Sequence, residues 1–416
     1  MLSRRRLLQA SAGAVPAIAL GAGPVQADSG EPLTTGVVPS ALAGFDKAMK
    51  TFITERDISC AQLAVAKNGK ILLARGYGHY SKPGAPIVRV QPTSLFRVAS
   101  LSKSLTAAAI VRLVQDGKVT LGTKVASLLG LSTAADPRLA NVTLWRLLQH
   151  TAGWDRSVSK DPLWIDHTIS ASLDVPLPID HADIMKYVTA RKLDFDPGTK
   201  YVYSNYGYML AGRVIEKVSG MSYESYVRQK LLAPVGITRP RLGRSLRSGA
   251  FSTEVAYESQ YTNKSVVDQS GTVVPFPYGG FNMPNQDANG GWLASAVDMV
   301  KWGFVFNGAG PVLNATSISR TFAKPETGVT AGGSWYGLGW NVRNNNAGGL
   351  NTWHNGSMPG TFSFLARVQN GVSYCAIFNR REEEGAPDFD AIDPILGQAI
   401  GTVRTWPTTD LTPRYF

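Results

Sequence analysis

The spacing of apolar positions changes along the chain. Residues 41–56, ALAGFDKAMKTFITER, place Leu42, Phe45, Met49 and Phe52 three and four apart, which predicts an amphipathic helix. Residues 61–78, AQLAVAKNGKILLARGYG, read as two strand-like runs around Asn68-Gly69, a dipeptide that tolerates the positive φ of a tight hairpin turn. The same device returns late, where FSFLARVQNGVSYCAIFN sets alternating runs on either side of Asn370-Gly371. Between the hairpins the spacing is helical in SLTAAAIVRLVQDGK, TLWRLLQH, ADIMKYVTARK, GYMLAGRVIEKVSG, SYESYVRQKLL and SAVDMVKWGFVF. Hairpin, helices, hairpin predicts an α+β fold. One antiparallel sheet, flanked by helices, is built from both chain ends, with a mostly helical subdomain inserted. The spacing sets the sheet part at about residues 40–125 and 290–410, and the helical part at about 126–289. Residues 31–40, EPLTTGVVPS, read as a linker, and the Ser-, Gly-, Asn- and Pro-rich stretch 240–290 as long surface loops of the kind that border sites.

The composition, 416 residues with 44% hydrophobic and 17% charged, is that of a globular chain with a large core. The net charge of +12 raises nucleic acid as a partner, but the basic residues are scattered and LSRRRL is their one dense run, so no nucleic-acid role is expected. No run approaches the roughly 18 apolar residues of a membrane span, and no integral membrane segment is expected in the mature chain. The first 27 residues read as an export signal: twin arginines in SRRRLL, a mildly apolar AGAVPAIALGAG, and VQA as a small-x-small cleavage site before a mature chain of residues 28–416. Leu7 and Gln9 depart from the usual twin-arginine pattern. Export places the chain in a periplasm or outside the cell. Export makes a disulfide between Cys60 and Cys375 possible, but each stands beside an apolar strand-like run, which favours two buried free thiols.

The chemistry centres on FRVASLSKSL, residues 96–105. Ser100 stands where a helix is about to start, and helix N-termini offer unpaired N–H groups and a positive dipole end that favour an alkoxide. Lys103, one turn on, lies on the same face. Desolvated, a lysine loses basicity toward neutrality and can accept the serine proton. The spacing alone is weak, because SVSK, residues 157–160, repeats it. That copy runs into Asp-Pro with no apolar helix behind it, which excludes it. Two further stretches strengthen the reading: Tyr203-Ser204-Asn205 directly before a helical pattern, and His354-Asn355-Gly356 directly before a strand. His79, His167 and His181 show no metal-ligand spacing, and no Gly-x-Ser-x-Gly elbow occurs.

Ser-x-x-Lys, Tyr-x-Asn and His-x-Gly, in that order, make the chain resemble the serine β-lactamase and penicillin-binding-protein superfamily. The resemblance is closest to its class C-like branch, which also holds D-alanyl-D-alanine carboxypeptidases, D-aminopeptidases and carboxylesterases. LLQHTAGW (147–154), GGWLASAVDM (290–299) and YGLGWNV (336–342) carry the likeness across roughly residues 40 to 380. It implies Ser100 as nucleophile, Lys103 as its base and Tyr203 as the group exchanging protons with serine and leaving group. Asn205 would bond the lysine or the substrate amide. His354 would take the first place of the third motif, Gly356 would leave room for substrate, and the Ser357 N–H would join that of Ser100 as an oxyanion donor. His150 is implied to be structural. The family's β-lactamases mostly carry Lys-Thr-Gly in the third motif. Here His354, charged only in part near neutrality, puts efficient β-lactam hydrolysis in doubt. The expected function is an exported serine hydrolase cleaving an amide or ester of a small molecule or peptide, without a cofactor. Its alternatives are an acyltransferase or peptide cyclase, and a penicillin-binding sensor that does not turn over.

Overall fold

Alternation along the two hairpins fixes which side chains meet which layer. The computed structural model describes residues 32–81, 86–345 and 347–416, and the expected export signal lies outside the described residues. Eight strands form the main sheet: β1 (Thr34–Val37), β2 (Cys60–Lys67), β3 (Lys70–Tyr80), β4 (Ser334–Tyr336), β5 (Asn341–Asn344), β6 (Leu350–Met358), β7 (Thr361–Arg367) and β8 (Val372–Phe378). Their spatial order is β1-β3-β2-β8-β7-β6-β5-β4, with a two-residue strand, Val88–Arg89, added beside β3. Neighbours along this order run antiparallel. Both chain ends therefore meet at the β2–β8 pair in the middle of the sheet, as the hairpin-helices-hairpin pattern predicts. Asn68 and Gly69 take φ of 51° and 78°, and Asn370 and Gly371 take 64° and 69°. A side chain with a Cβ seldom adopts that region, and Asn and Gly are the residues that tolerate it.

On β8, Val372, Tyr374, Ala376 and Phe378 point to one core, shared with Phe45, Met49 and Phe52 of helix α1 (Ala43–Glu55) and with Ile392 and Leu396 of a C-terminal helix, Ile392–Gly401. Cys375 and Ile377 point to the other core, toward the helical layer. The two-residue period of the strand sorts them. Cys60 and Cys375 are buried free thiols, and burial pushes the Cys60 thiol up to about 12.

Helix α2 (Ser102–Gln115) runs through the larger core and is buried on nearly every side. Its three successive alanines, Ala107 to Ala109, let neighbours approach, and its polar groups are partnered. Thr106 Oγ1 donates to the Ala288 carbonyl at 2.6 Å, and Trp302 Nε1 donates to Ser104 Oγ at 3.0 Å. Helix α3 (Asn205–Ser219) packs beside it, its first turn capped by Ser204 Oγ accepting from the Gly207 N–H.

Two expectations change. Residues 34–37 form edge strand β1, Thr34 opposite Tyr77 and Val37 opposite Ala74, and not a linker. Thr-Thr-Gly-Val carries no apolar alternation because an edge strand this short buries little. The stretch 240–290 is not simply surface loop: Asn282, Asn285, Gln286 and Asp287 are buried. Arg97, itself buried, pins it by donating to the carbonyls of Pro277 at 2.8 Å and Arg244 at 3.1 Å, with its guanidinium 4.3 Å over the Tyr257 ring.

Candidate active site

Ser100 sits in a tight turn, Ala99–Leu101, that leads into α2. Ala99 holds φ at +46°, a conformation that costs a non-glycine residue energy and is retained where the surroundings impose it. The Ser100 hydroxyl does not cap the helix, contrary to the ordinary behaviour of serine at a helix start. It accepts from Lys103 Nζ at 3.1 Å and from Tyr203 Oη at 2.8 Å. Lys103 is fully buried and donates further to Asn205 Oδ1 at 2.8 Å and to the Asn289 carbonyl at 2.8 Å. Burial drives its basicity well below the ordinary lysine range; Asp161 works against that shift and Arg156 with it. Burial raises the Tyr203 hydroxyl, so at neutral pH it is a proton donor. The structure thus links Tyr203, Ser100, Lys103 and Asn205 in one chain of hydrogen bonds, in which Asn205 bonds the lysine.

His150 explains why Tyr203 stays in place. Its Nδ1 accepts from the Ser204 N–H at 3.0 Å, and its ring lies 4.3 Å from that of Tyr203. Burial first, then the Lys103 charge, keeps this imidazole neutral. His150 therefore braces the turn carrying Tyr203 from behind. Ser157 and Lys160 stay out of the site: Ser157 Oγ donates to Asp155 at 2.5 Å, and Lys160 is exposed.

β6 carries His354, Gly356 and Ser357 past Ser100. The expected partial charge on His354 is absent. The ring is 2% exposed, pairs with the Tyr336 hydroxyl at 2.9 Å, and is held down to about 3 by burial and by the nearby Lys103. Gly356 also differs from expectation. The space its missing side chain leaves is filled by the chain itself: a methyl there would stand 2.5 Å from the Val98 carbonyl oxygen and 2.9 Å from the Ser100 backbone nitrogen. Both are backbone atoms of the turn that presents Ser100, so the glycine sets how closely strand and turn approach. Gly356→Ala should therefore displace Ser100 and lower kcat about 10²-fold, the usual scale for misplacement by about 1 Å. Melting temperature and kcat, measured together, check it; a variant with wild-type kcat would show that the turn adapts. Ser357, the next residue, is exposed on the open side of the strand.

Sequence reasoning missed several neighbours. Asp161, in the Asp-Pro used to exclude the second Ser-x-x-Lys, accepts from Asn205 Nδ2 at 2.7 Å. Asn289 contributes its carbonyl from a stretch read as loop. An apolar wall of Phe281, Met283 and Met358 packs on Ala99, with Trp164 and Phe276 against it and half exposed. No local pattern marks that wall, because its members come from three distant parts of the chain.

The fold agrees with that of known proteins. The Beta-lactamase family matches residues 45–396. A probable fimbrial assembly protein FimD, serogroup H1, of Dichelobacter nodosus is 31% identical over 212 residues, 45% of this chain and 50% of that protein. The chain thus spans about half the length of this curated relative. Among solved structures, the octameric penicillin-binding protein homologue from Pyrococcus abyssi has a TM-score of 0.64 at 24% identity, over 85% of this chain and 77% of that one. A D-amino acid amidase from Ochrobactrum anthropi SV3, in complex with D-phenylalanine, has a TM-score of 0.66 at 20% identity, over 88% and 99%. At such identities the structures share a fold. The family match spans most of the chain, and the chain belongs to the Beta-lactamase family.

Proposed function

We propose that the protein is an exported serine hydrolase that cleaves an amide or ester bond through an acyl-Ser100 intermediate. One observation carries the reading: the Ser100 hydroxyl lies 3.1 Å from a buried lysine amine and 2.8 Å from the hydroxyl of a half-buried tyrosine. Lys103, whose burial favours the free amine, takes the serine proton as Oγ attacks the substrate carbonyl. That proton passes from Lys103 by way of Tyr203 to the leaving amine or alcohol, and water then releases the acyl group. The backbone N–H groups of Ser100 and Ser357 take the oxyanion, a role in which losing one donor costs about 10²–10³-fold in rate. Export rests on the first 27 residues alone.

The site favours neutral over carboxylate-bearing substrates at the third motif, because His354 is uncharged there and the wall from Trp164 to Met358 is apolar. A panel of short esters, D-amino-acid amides, D-Ala-D-Ala peptides and nitrocefin tests the reading, with intact-mass detection of an acyl adduct on Ser100. Ester or amide turnover through such an adduct is expected, with little nitrocefin hydrolysis. A matched acidic and neutral substrate pair should share one pH profile from about pH 5.5 to about 9, since His354 does not titrate in that window. An adduct that forms and never turns over would make the protein a sensor, and products joined to an added amine would make it an acyltransferase.

A further inference from the structure

We propose that Asp161 is a positioning residue of this site: its carboxylate fixes the side-chain amide of Asn205 in the one orientation that aims the Lys103 amine at Ser100. The inference rests on the acyl-Ser100 reading above and deepens it. An asparagine amide is nearly symmetric in shape, and a half-turn exchanges its acceptor oxygen for its donor nitrogen. Beside a lysine the exchange matters. With Oδ1 facing Nζ the pair bonds; with Nδ2 facing Nζ, two donors meet. Asp161 removes the second arrangement, because an ionised carboxylate only accepts. Asp161 Oδ2 takes Asn205 Nδ2 at 2.7 Å, which leaves Oδ1 for Lys103 at 2.8 Å.

The consequence reaches Ser100 through the geometry of the amine. Nζ has three partners: Asn205 Oδ1, the Asn289 carbonyl and Ser100 Oγ. The first two accept only, so they occupy two N–H donors in either charge state. The third direction is all that remains, and it points at Ser100. When Lys103 is neutral, that direction holds its lone pair, the acceptor that proton abstraction needs. If Asn205 turned over, the amine would lose one anchor and rotate.

Asp161 is itself held firmly. It opens a short turn, Pro162–Trp164, and its Oδ1 accepts from the Leu163 N–H at 3.1 Å. Gln286 Nε2 donates to the Leu163 carbonyl at 2.8 Å, and Trp164 packs on Phe281 with ring centres 5.2 Å apart. The charged and titratable groups bearing on the pair are few. Burial raises the Asp161 carboxyl, and its hydrogen bonds from Asn205 and the Leu163 N–H, with the charges of Lys103 on α2 and Arg156 in the preceding loop, work against that and favour the anion. Lys103 is affected by Asp161 and Arg156 in opposite senses. Tyr203 and Tyr208 lay their rings 4.7 Å and 5.6 Å from Nζ and stay protonated. His150 and His354 are neutral.

The signs follow. The Asp161 anion favours the ammonium form of Lys103, so its removal lowers the pH at which Lys103 becomes a base. Asp161→Asn keeps an acceptor oxygen without the charge; Asp161→Leu keeps neither. With a neutral ester, kcat should fall about 10-fold in Asp161→Asn and about 10²-fold in Asp161→Leu, within the usual range for a disturbed general base, with KM little changed. The acid limb of kcat/KM should move to lower pH in both. Arg156→Gln should move it to higher pH, and salt should weaken that shift because Arg156 is exposed. Opposite shifts from two charge removals are not produced by loosened packing. Wild-type kcat and an unmoved acid limb in both Asp161 variants would overturn the proposal. So would a loss of kcat that follows a lower melting temperature while the acid limb stays put. Ser100→Ala in the same assay separates the two claims. Turnover that survives it removes the acyl-Ser100 reading and this proposal together; turnover lost there but unchanged in the Asp161 variants removes this proposal alone.

Discussion

Ser100→Ala is expected to abolish covalent labelling by a fluorophosphonate probe and to lower ester turnover by at least about 10⁴-fold, while Ser157→Ala leaves both unchanged. The two serines share one local sequence pattern, Ser-x-x-Lys, and differ in everything the fold adds. Ser100 is presented by a turn whose Ala99 sits at φ +46°, with Lys103 beneath it and Tyr203 beside it. Its lysine is buried and so has a depressed affinity for protons. Lys160 is exposed to water. Ser157 instead donates to Asp155, which also pairs with Lys200 at 2.9 Å. The size of the expected loss follows from chemistry: without Oγ no acyl-enzyme forms, and only binding and oxyanion stabilisation remain. Labelling that survives Ser100→Ala, or vanishes with Ser157→Ala, would sink the assignment.

What the sequence makes legible here depends on how local the cause is. The Asn-Gly hairpins are legible because two adjacent residues set the turn. α2 is legible because its apolar run is long. Ser100, Lys103, Tyr203 and Asn205 are legible because each pair lies within one turn of chain, so the motif survives without the fold. Asp161, Asn289 and the wall of Trp164, Phe281 and Met358 are not, since each joins the site only when distant segments pack. Strand β1 is hidden for a related reason: its order comes from pairing with β3, and its four side chains carry no pattern of their own. His354 shows a subtler limit. Its place in the third motif can be read, but its charge cannot, because burial against Tyr336 and Lys103 decides it.

Lys103→Met and Tyr203→Phe should each lower kcat by at least about 10²-fold, and the double variant should lose much less than the product of the two. The two groups meet at one oxygen. A proton leaving Ser100 Oγ has both the Lys103 amine and the Tyr203 oxygen within reach, and the proton given to the leaving group must come back through the same pair. Remove either and the relay is broken, so removing the second costs little more. Independent contributions would instead multiply, as for residues that share no partner. Stability gives an internal control. Met keeps most of the volume of Lys103 and removes a cation from a site where burial disfavours the charged form, at the cost of leaving Asn205 Oδ1 and the Asn289 carbonyl without that donor. Tyr203→Phe keeps the ring that packs on His150 and deletes only the hydroxyl. Neither change should unfold the protein, so lost activity with a melting temperature within a few degrees of wild type reads as lost proton transfer. The pH profile sharpens the test. On the proposed mechanism Lys103 works as a free amine, so activity should rise with pH along an acid limb well below the ordinary lysine value of about 10.4. That limb should persist in Tyr203→Phe and disappear in Lys103→Met. If the losses multiply, or the limb survives Lys103→Met, another group takes the serine proton.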